Sequence, residues 1–161
     1  YLDAANVDLK SFSDRFYRKY CKASLEPVKE NLKLMKSLGI IVEVTTLVIP
    51  GLNDSNEELN RIAGFISDEL GPEVPWHISR FHPTEPGRTP SETLMRAFQA
   101  GKDAGLYHVY VGNAPEIGRE DTFCHSCSEV LVKRHAYEVG VAVGSQTGKC
   151  PSCGTRLYGL Y

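Results

Sequence analysis

The sequence predicts an α/β protein followed by a small β-rich appendage, and three observations carry that expectation. Strand-like and helix-like stretches alternate from residue 4 to residue 112, the pattern of a parallel sheet with right-handed crossover helices. The strand-like stretches are rich in β-branched residues, and the helical ones carry caps and terminal glycines. After residue 121 helical periodicity gives way to glycines, short β-rich runs and two CxxC pairs.

Residues 4–10 alternate, with Ala5, Val7 and Leu9 on one face and Asn6, Asp8 and Lys10 on the other, a half-buried strand. A helical stretch follows around SDRFYRKYC, then a second in SLEPVKENLKLMKSLG, where Val28, Leu32, Met35 and Leu38 recur at helical spacing and Gly39 ends the run. IIVEVTTLVIPG is the next strand, closed by Pro50-Gly51. Ser55 and Glu58 make a capping box for a helix whose buried stripe is Leu59, Ile62, Ile66 and Leu70. PWHISRF is a third strand, leading into the polar turn HPTEPGR. In the next helix Thr89 is placed to cap, Pro90 to begin, Glu92 to complete the box and Gly105 to end. YHVYVG is a fourth strand. The expected organisation is residues 1–113 as the α/β unit, 114–121 as a linker and 122–161 as a four-cysteine, zinc-ribbon-like domain.

Composition excludes several functions. Among 161 residues the net charge is −2, and residues 119–161 hold five Lys/Arg against four Asp/Glu. That is too little for a nucleic-acid or anionic-membrane footprint. No apolar run approaches the ~20 residues of a membrane span, and the opening residues do not read as a signal peptide. The chain opens on Tyr1 with a strand already begun, so the expectation is a segment of a longer protein.

Five cysteines, four in CxxC spacing, fit metal binding in a reducing, cytoplasmic setting better than disulfides. Cys124, Cys127, Cys150 and Cys153 supply two facing knuckles, with 22 residues between the pairs and Gly154 placed for a turn. Four thiolates close a tetrahedral site to water and substrate, so the expected metal is structural zinc, with a rubredoxin-like iron as the alternative. His125 is expected on the outside of its knuckle, and Cys21 as a small buried apolar residue.

Ligands of parallel α/β sheets lie at the carboxyl ends of strands, which directs attention to polar residues there. The first strand ends in Asp8-x-Lys10, the second carries Glu43 and Thr45 on the face opposite its valines, and the third ends in Arg80-x-His82. Their recurrence on consecutive strands predicts convergence at one mouth.

NVDLKSF, TTLVIPGLND and WHISRFHPT, in that order and spacing, resemble the later strands of radical S-adenosylmethionine enzymes. The similarity is to the branch related to pyruvate formate-lyase activases. TFCHSCSEVLVKR and GKCPSCGTRLYGL are similar to the C-terminal ribbon of AmmeMemoRadiSam-type members. The resemblance implies the second half of a (β/α)6 partial barrel followed by its zinc ribbon. It implies that Asp8, Lys10 and His82 line the S-adenosylmethionine pocket, with the lysine meeting the ligand carboxylate. Thr45 falls where the activases place an arginine. The complete enzyme would use a [4Fe–4S] cluster to cleave S-adenosylmethionine and abstract hydrogen, with a glycyl position in a protein as one target. No CxxxCxxC occurs here, so the resemblance implies a chain inactive by itself. The alternative is a binding module whose ribbon recruits a protein. An incomplete barrel also predicts an open strand edge and self-association.

Overall fold

A computed structural model describes residues 2–83, 87–135, 138–141 and 147–159. Strands β1 (Ala4–Asp8), β2 (Ile41–Val48), β3 (Trp76–Arg80) and β4 (Val109–Gly112) form a sheet in that order, with every neighbouring pair parallel. The connections are α1 (Asp14–Phe16, continued by a π turn over Tyr17–Cys21) with α2 (Leu25–Ser37), α3 (Asn56–Phe65, continued by a π turn over Ile66–Leu70), and α4 (Ser91–Asp103). A second sheet, β5 (Thr122–Phe123), β6 (Val130–His135) and β7 (Glu138–Val141), is antiparallel. The α/β expectation with a separate β-rich tail therefore holds, while the centre of the polar turn expected at residues 82–88 lies outside the described residues.

Alternation along the strands decides where everything else goes. Val42, Val44, Val48, Trp76, Ile78, Val109 and Val111 are buried together with Leu32, Leu59, Ile62, Ile66 and Leu94 from the helices. The odd-numbered residues of β2 and β3 between them are only partly buried. Apolar residues thus put all the large helices on one face, as in a barrel segment rather than a sheet covered on both sides. Helix α4 comes so close that a Cβ on Gly101 would lie 2.8 Å from Val109 and 3.0 Å from Trp76. Cys21 packs partly buried against the same core.

Buried polar side chains latch the strand ends. Thr46 donates to the Leu9 carbonyl and accepts from the Trp76 indole. The Asn53 amide donates to the Lys10 and Leu47 carbonyls at 2.6 and 2.8 Å and accepts from the Ile49 amide. Each of these backbone groups would otherwise be an unpaired polar atom next to the core.

Four local expectations are corrected. Leu38 is 68% exposed, because helix α2 ends at Ser37 and its inward stripe is Leu25, Val28, Leu32 and Met35. Thr89 does not cap α4: it is buried, bridging the Val48 carbonyl and the Phe81 amide, and Pro90 takes the cap position. Arg80 does not face the mouth. Its position in β3 turns it to the helix side, 3% exposed, where it pairs with Glu116 at 2.5 Å and donates to Ser91. Ser55 caps α3, but the Glu58 carboxylate completes no box; it accepts instead from Ser11 and the Phe12 amide.

Replacing Asn53→Ala removes three hydrogen bonds at a site 1% exposed. We expect stability to fall by about 2–4 kcal/mol, read as a lower urea midpoint. An unchanged midpoint would show that this latch does not hold the strand ends.

Candidate functional site

The face of the sheet away from the helices is polar and open. In a parallel pair, residues in register share a face, and Asp8, Thr45, His77 and Tyr110 are register partners in turn. One row of polar side chains thus crosses all four strands. Beside it Asn6 and Glu43 form the next row towards the strand starts. A cleft of about 390 Å³ opens over this face, with Asn6, Glu43, Thr45, His77, Tyr110 and Arg134 in its wall.

The expected ligand-binding residues are placed as follows. Lys10 Nζ lies 2.9 Å from Asp8 Oδ2 at the carboxyl end of β1, both side chains substantially exposed. Asn53 holds the Lys10 carbonyl, fixing where that side chain departs. Thr45 is the neighbour of Asp8, and its hydroxyl donates to Asn6 Oδ1 at 2.7 Å. His82 is exposed beyond β3, its Nε2 2.8 Å from the Asn113 carbonyl. Asp8, Lys10 and Thr45 are brought together, whereas no contact among the described residues joins them to His82.

Sequence reasoning missed His77 and Tyr110. His77 Nε2 is 3.0 Å from Glu43 Oε2, and its ring stacks on Tyr110 with centroids 5.0 Å apart. The His77 hydrogen bond is the main reason the Glu43 carboxyl titrates below its ordinary range. Burial pushes the Tyr110 hydroxyl pKa up. The available signal was period two: each occupies an outward position between buried neighbours, Trp76 and Ile78 or Val109 and Val111.

The ribbon closes the lower end of this face. Tyr110 Oη is 2.8 Å from Thr122 Oγ1, which also accepts from Arg134, and the Arg134 guanidinium lies 5.5 Å from the Tyr110 ring centre. Tyr158 engages both the amide and the carbonyl of Val42. His125 is exposed, as expected, but one ring face stacks on Tyr107 at 4.3 Å.

Within the ribbon the four expected cysteines converge, all their sulfurs within 4.8 Å of one another. Cys124–Cys153 and Cys127–Cys150 are each 3.6 Å apart, close to the roughly 3.8 Å edge of a tetrahedron with about 2.3 Å metal–sulfur bonds. The two knuckles match: the amides of Ser128 and Gly154 return to the carbonyls of Cys124 and Cys150, and both residues have positive φ. The Thr155 hydroxyl and amide lower the Cys153 thiol while the Cys127 thiol is shifted up, so the sulfurs share protons that a bound metal would displace. The donor set fits a closed four-sulfur metal centre.

No family model matches the chain. An uncharacterized protein of Methanocaldococcus jannaschii is 44% identical over 161 residues, covering 97% of this chain and 48% of that protein. The chain thus spans about half the length of this curated relative. A domain of pyruvate-formate lyase-activating enzyme from Bacteroides vulgatus is similar in structure, with TM-score 0.61, 18% identity, and 69% and 68% of the two chains covered. A radical SAM methyltransferase from Sphaerobacter thermophilus gives TM-score 0.50 at 19% identity, over 78% of this chain and 37% of the other. The chain is similar in fold to both. Among the described residues, no helix is long and apolar enough to cross a membrane.

His108 is buried, and burial first, then His125 and Lys102, lowers its pKa to about 4. The unfolded chain takes up this proton near pH 6.5 and the folded one only near 4. Stability should therefore fall as pH drops through that window, by up to about 3 kcal/mol in all. Urea midpoints between about pH 7 and 4.5 test this, and the slope should flatten in His108→Gln. For the metal centre, we expect about one bound metal per chain by elemental analysis, lost in Cys150→Ser with unfolding of the ribbon. A metal-free wild type with an intact ribbon would contradict this.

Proposed function

We propose that this chain is the later half of a radical S-adenosylmethionine enzyme's barrel, with a structural zinc ribbon. The observation that carries this reading is the Asp8–Lys10 pair at the carboxyl end of β1, beside an open polar face, in a fold shared with radical SAM proteins. The outer side of β1 has no strand partner among the described residues, which suits a barrel whose earlier strands lie elsewhere in the full-length protein.

The donor set fits part of the cofactor. Lys10 Nζ has Asp8 as its one described partner, so its remaining donors are available to a carboxylate. Asp8 orients that ammonium, Thr45 offers a hydroxyl on the same face, and His82 follows the carboxyl end of β3, at the same end of the parallel sheet. S-adenosylmethionine bound there would supply one-electron chemistry for hydrogen abstraction, with a glycyl position in a protein as a candidate substrate. The residues present do not fit the iron–sulfur cluster. Four of the five cysteines belong to the ribbon and Cys21 packs against the core, so its ligands, a CxxxCxxC loop, are assigned to the remainder of the full-length protein.

A second reading, a ribbon that docks a protein partner in the cytoplasm, draws support from Phe123, Val139 and Val141, all exposed on the ribbon. The two readings separate on S-adenosylmethionine binding by the full-length protein. Under the first, Lys10→Ala weakens binding by about tenfold or more, about 1.5–3 kcal/mol for a charge-assisted contact, and His82→Ala weakens it less. Calorimetry showing binding unchanged in Lys10→Ala, with the fold intact by circular dichroism, would favour the second.

A further inference from the structure

The His77–Glu43 pair has a geometry that a simple surface ion pair does not require. Glu43 is held below its ordinary pKa, first by the hydrogen bond from His77, so at neutral pH it is a carboxylate and can only accept. His77 Nε2 must then be the donor, which leaves the second ring nitrogen, Nδ1, as a bare lone pair when the ring is neutral. No hydrogen bond to Nδ1 is formed among the described residues. The ring is also fixed in direction. Stacking on Tyr110 holds its plane, and Asn6, itself held by Thr45, donates weakly to the same Glu43 oxygen at 3.4 Å.

The groups around it come from every element that packs here. Glu43 comes from β2, Tyr110 from β4, Glu120 from the segment after β4, and Arg134 from β6 in the ribbon. Arg134 is already engaged by the Glu120 carbonyl, Thr122 and the Tyr110 ring. The cleft therefore presents acceptors to a visiting molecule: His77 Nδ1 and the second oxygen of Glu43.

We infer that His77 is an acid–base residue of the open-face cleft, taking a proton from a hydroxyl or N–H group of a small polar substrate. The substrate O–H or N–H bond breaks heterolytically and its electron pair stays on the substrate atom. The proton passes to Nδ1, and the resulting imidazolium is paired with the Glu43 carboxylate, an orienting role that a carboxylate plays for histidine in many sites. The inference rests on this face being the reaction face, and not on which cofactor that face receives.

Two measurements on this chain test it without any cofactor. Nitrogen NMR of the histidine rings should show His77 as the Nε2–H tautomer at neutral pH. Diethyl pyrocarbonate, which acylates a bare imidazole nitrogen, should modify His77 in the wild type, with the site mapped by mass spectrometry. In Glu43→Gln the His77 rate should drop severalfold from its wild-type value. Asn6→Ala, which loosens Glu43 while keeping it, should give an intermediate rate if Glu43→Gln does not fold. A His77 that carries its proton on Nδ1, that resists the reagent, or that reacts equally fast in both variants would overturn the inference. Absence of S-adenosylmethionine binding by the unmodified full-length protein would instead count against the proposed function, since neither readout here depends on that ligand.

Discussion

The structure depends on burying one face of a four-stranded parallel sheet. Val42, Val44 and Val48 on β2 and Trp76 and Ile78 on β3 are fully covered, and the burial of such side chains supplies most of the driving force for folding, at about 25 cal/mol per Å² of apolar area. A one-residue slip of any strand would turn this set outward and its polar partners inward. Register is therefore tightly specified. The Trp76–Thr46–Leu9 chain of hydrogen bonds adds a local check, because it closes only when three consecutive strands are aligned.

The polar face is a consequence of the same constraint. Once the even positions of β2 and β3 are committed to the helices, Thr45 and His77 must point the other way, in line with Asp8 and Tyr110. The row has a gradient along it. At the β1 end, Asp8 and Lys10 are exposed and pair with each other. At the β4 end, Tyr110 is fastened to Thr122 and lies under Arg134, both from the ribbon side. The ribbon is consequently more than a tail. Its strands deliver Arg134 and Thr122 to the sheet, and Tyr158 finishes the exposed backbone of Val42. A core of Cys124, Leu131, Cys150 and Leu157 is small for such an arrangement, and the same segment carries the four clustered cysteines able to hold a metal.

Much of this is legible in the chain itself. Period-two and helical apolar spacing locates the four strands and the principal helices, since those patterns report directly on which face is buried. The paired CxxC spacing locates the four-cysteine cluster to the residue, because a knuckle is a local turn with its own chemistry. Local pattern misplaces Arg80, Thr89 and Leu38 because none of the three is settled by its immediate neighbours in the chain. Arg80 answers to Glu116, Thr89 to the Val48 carbonyl, and Leu38 to the early end of helix α2.

By itself, then, the sequence determined the order of elements, the covered and open faces of the strands, and which four cysteines come together. All three follow from local periodicity and short-range turns. Only the tertiary structure decided that Asp8, Thr45, His77 and Tyr110 form one row, that Glu43 orients His77, and that the ribbon supplies Arg134 to the cleft. These relations join residues far apart in the chain through strand register, and register is fixed by the packing of the whole core rather than by any stretch of the chain.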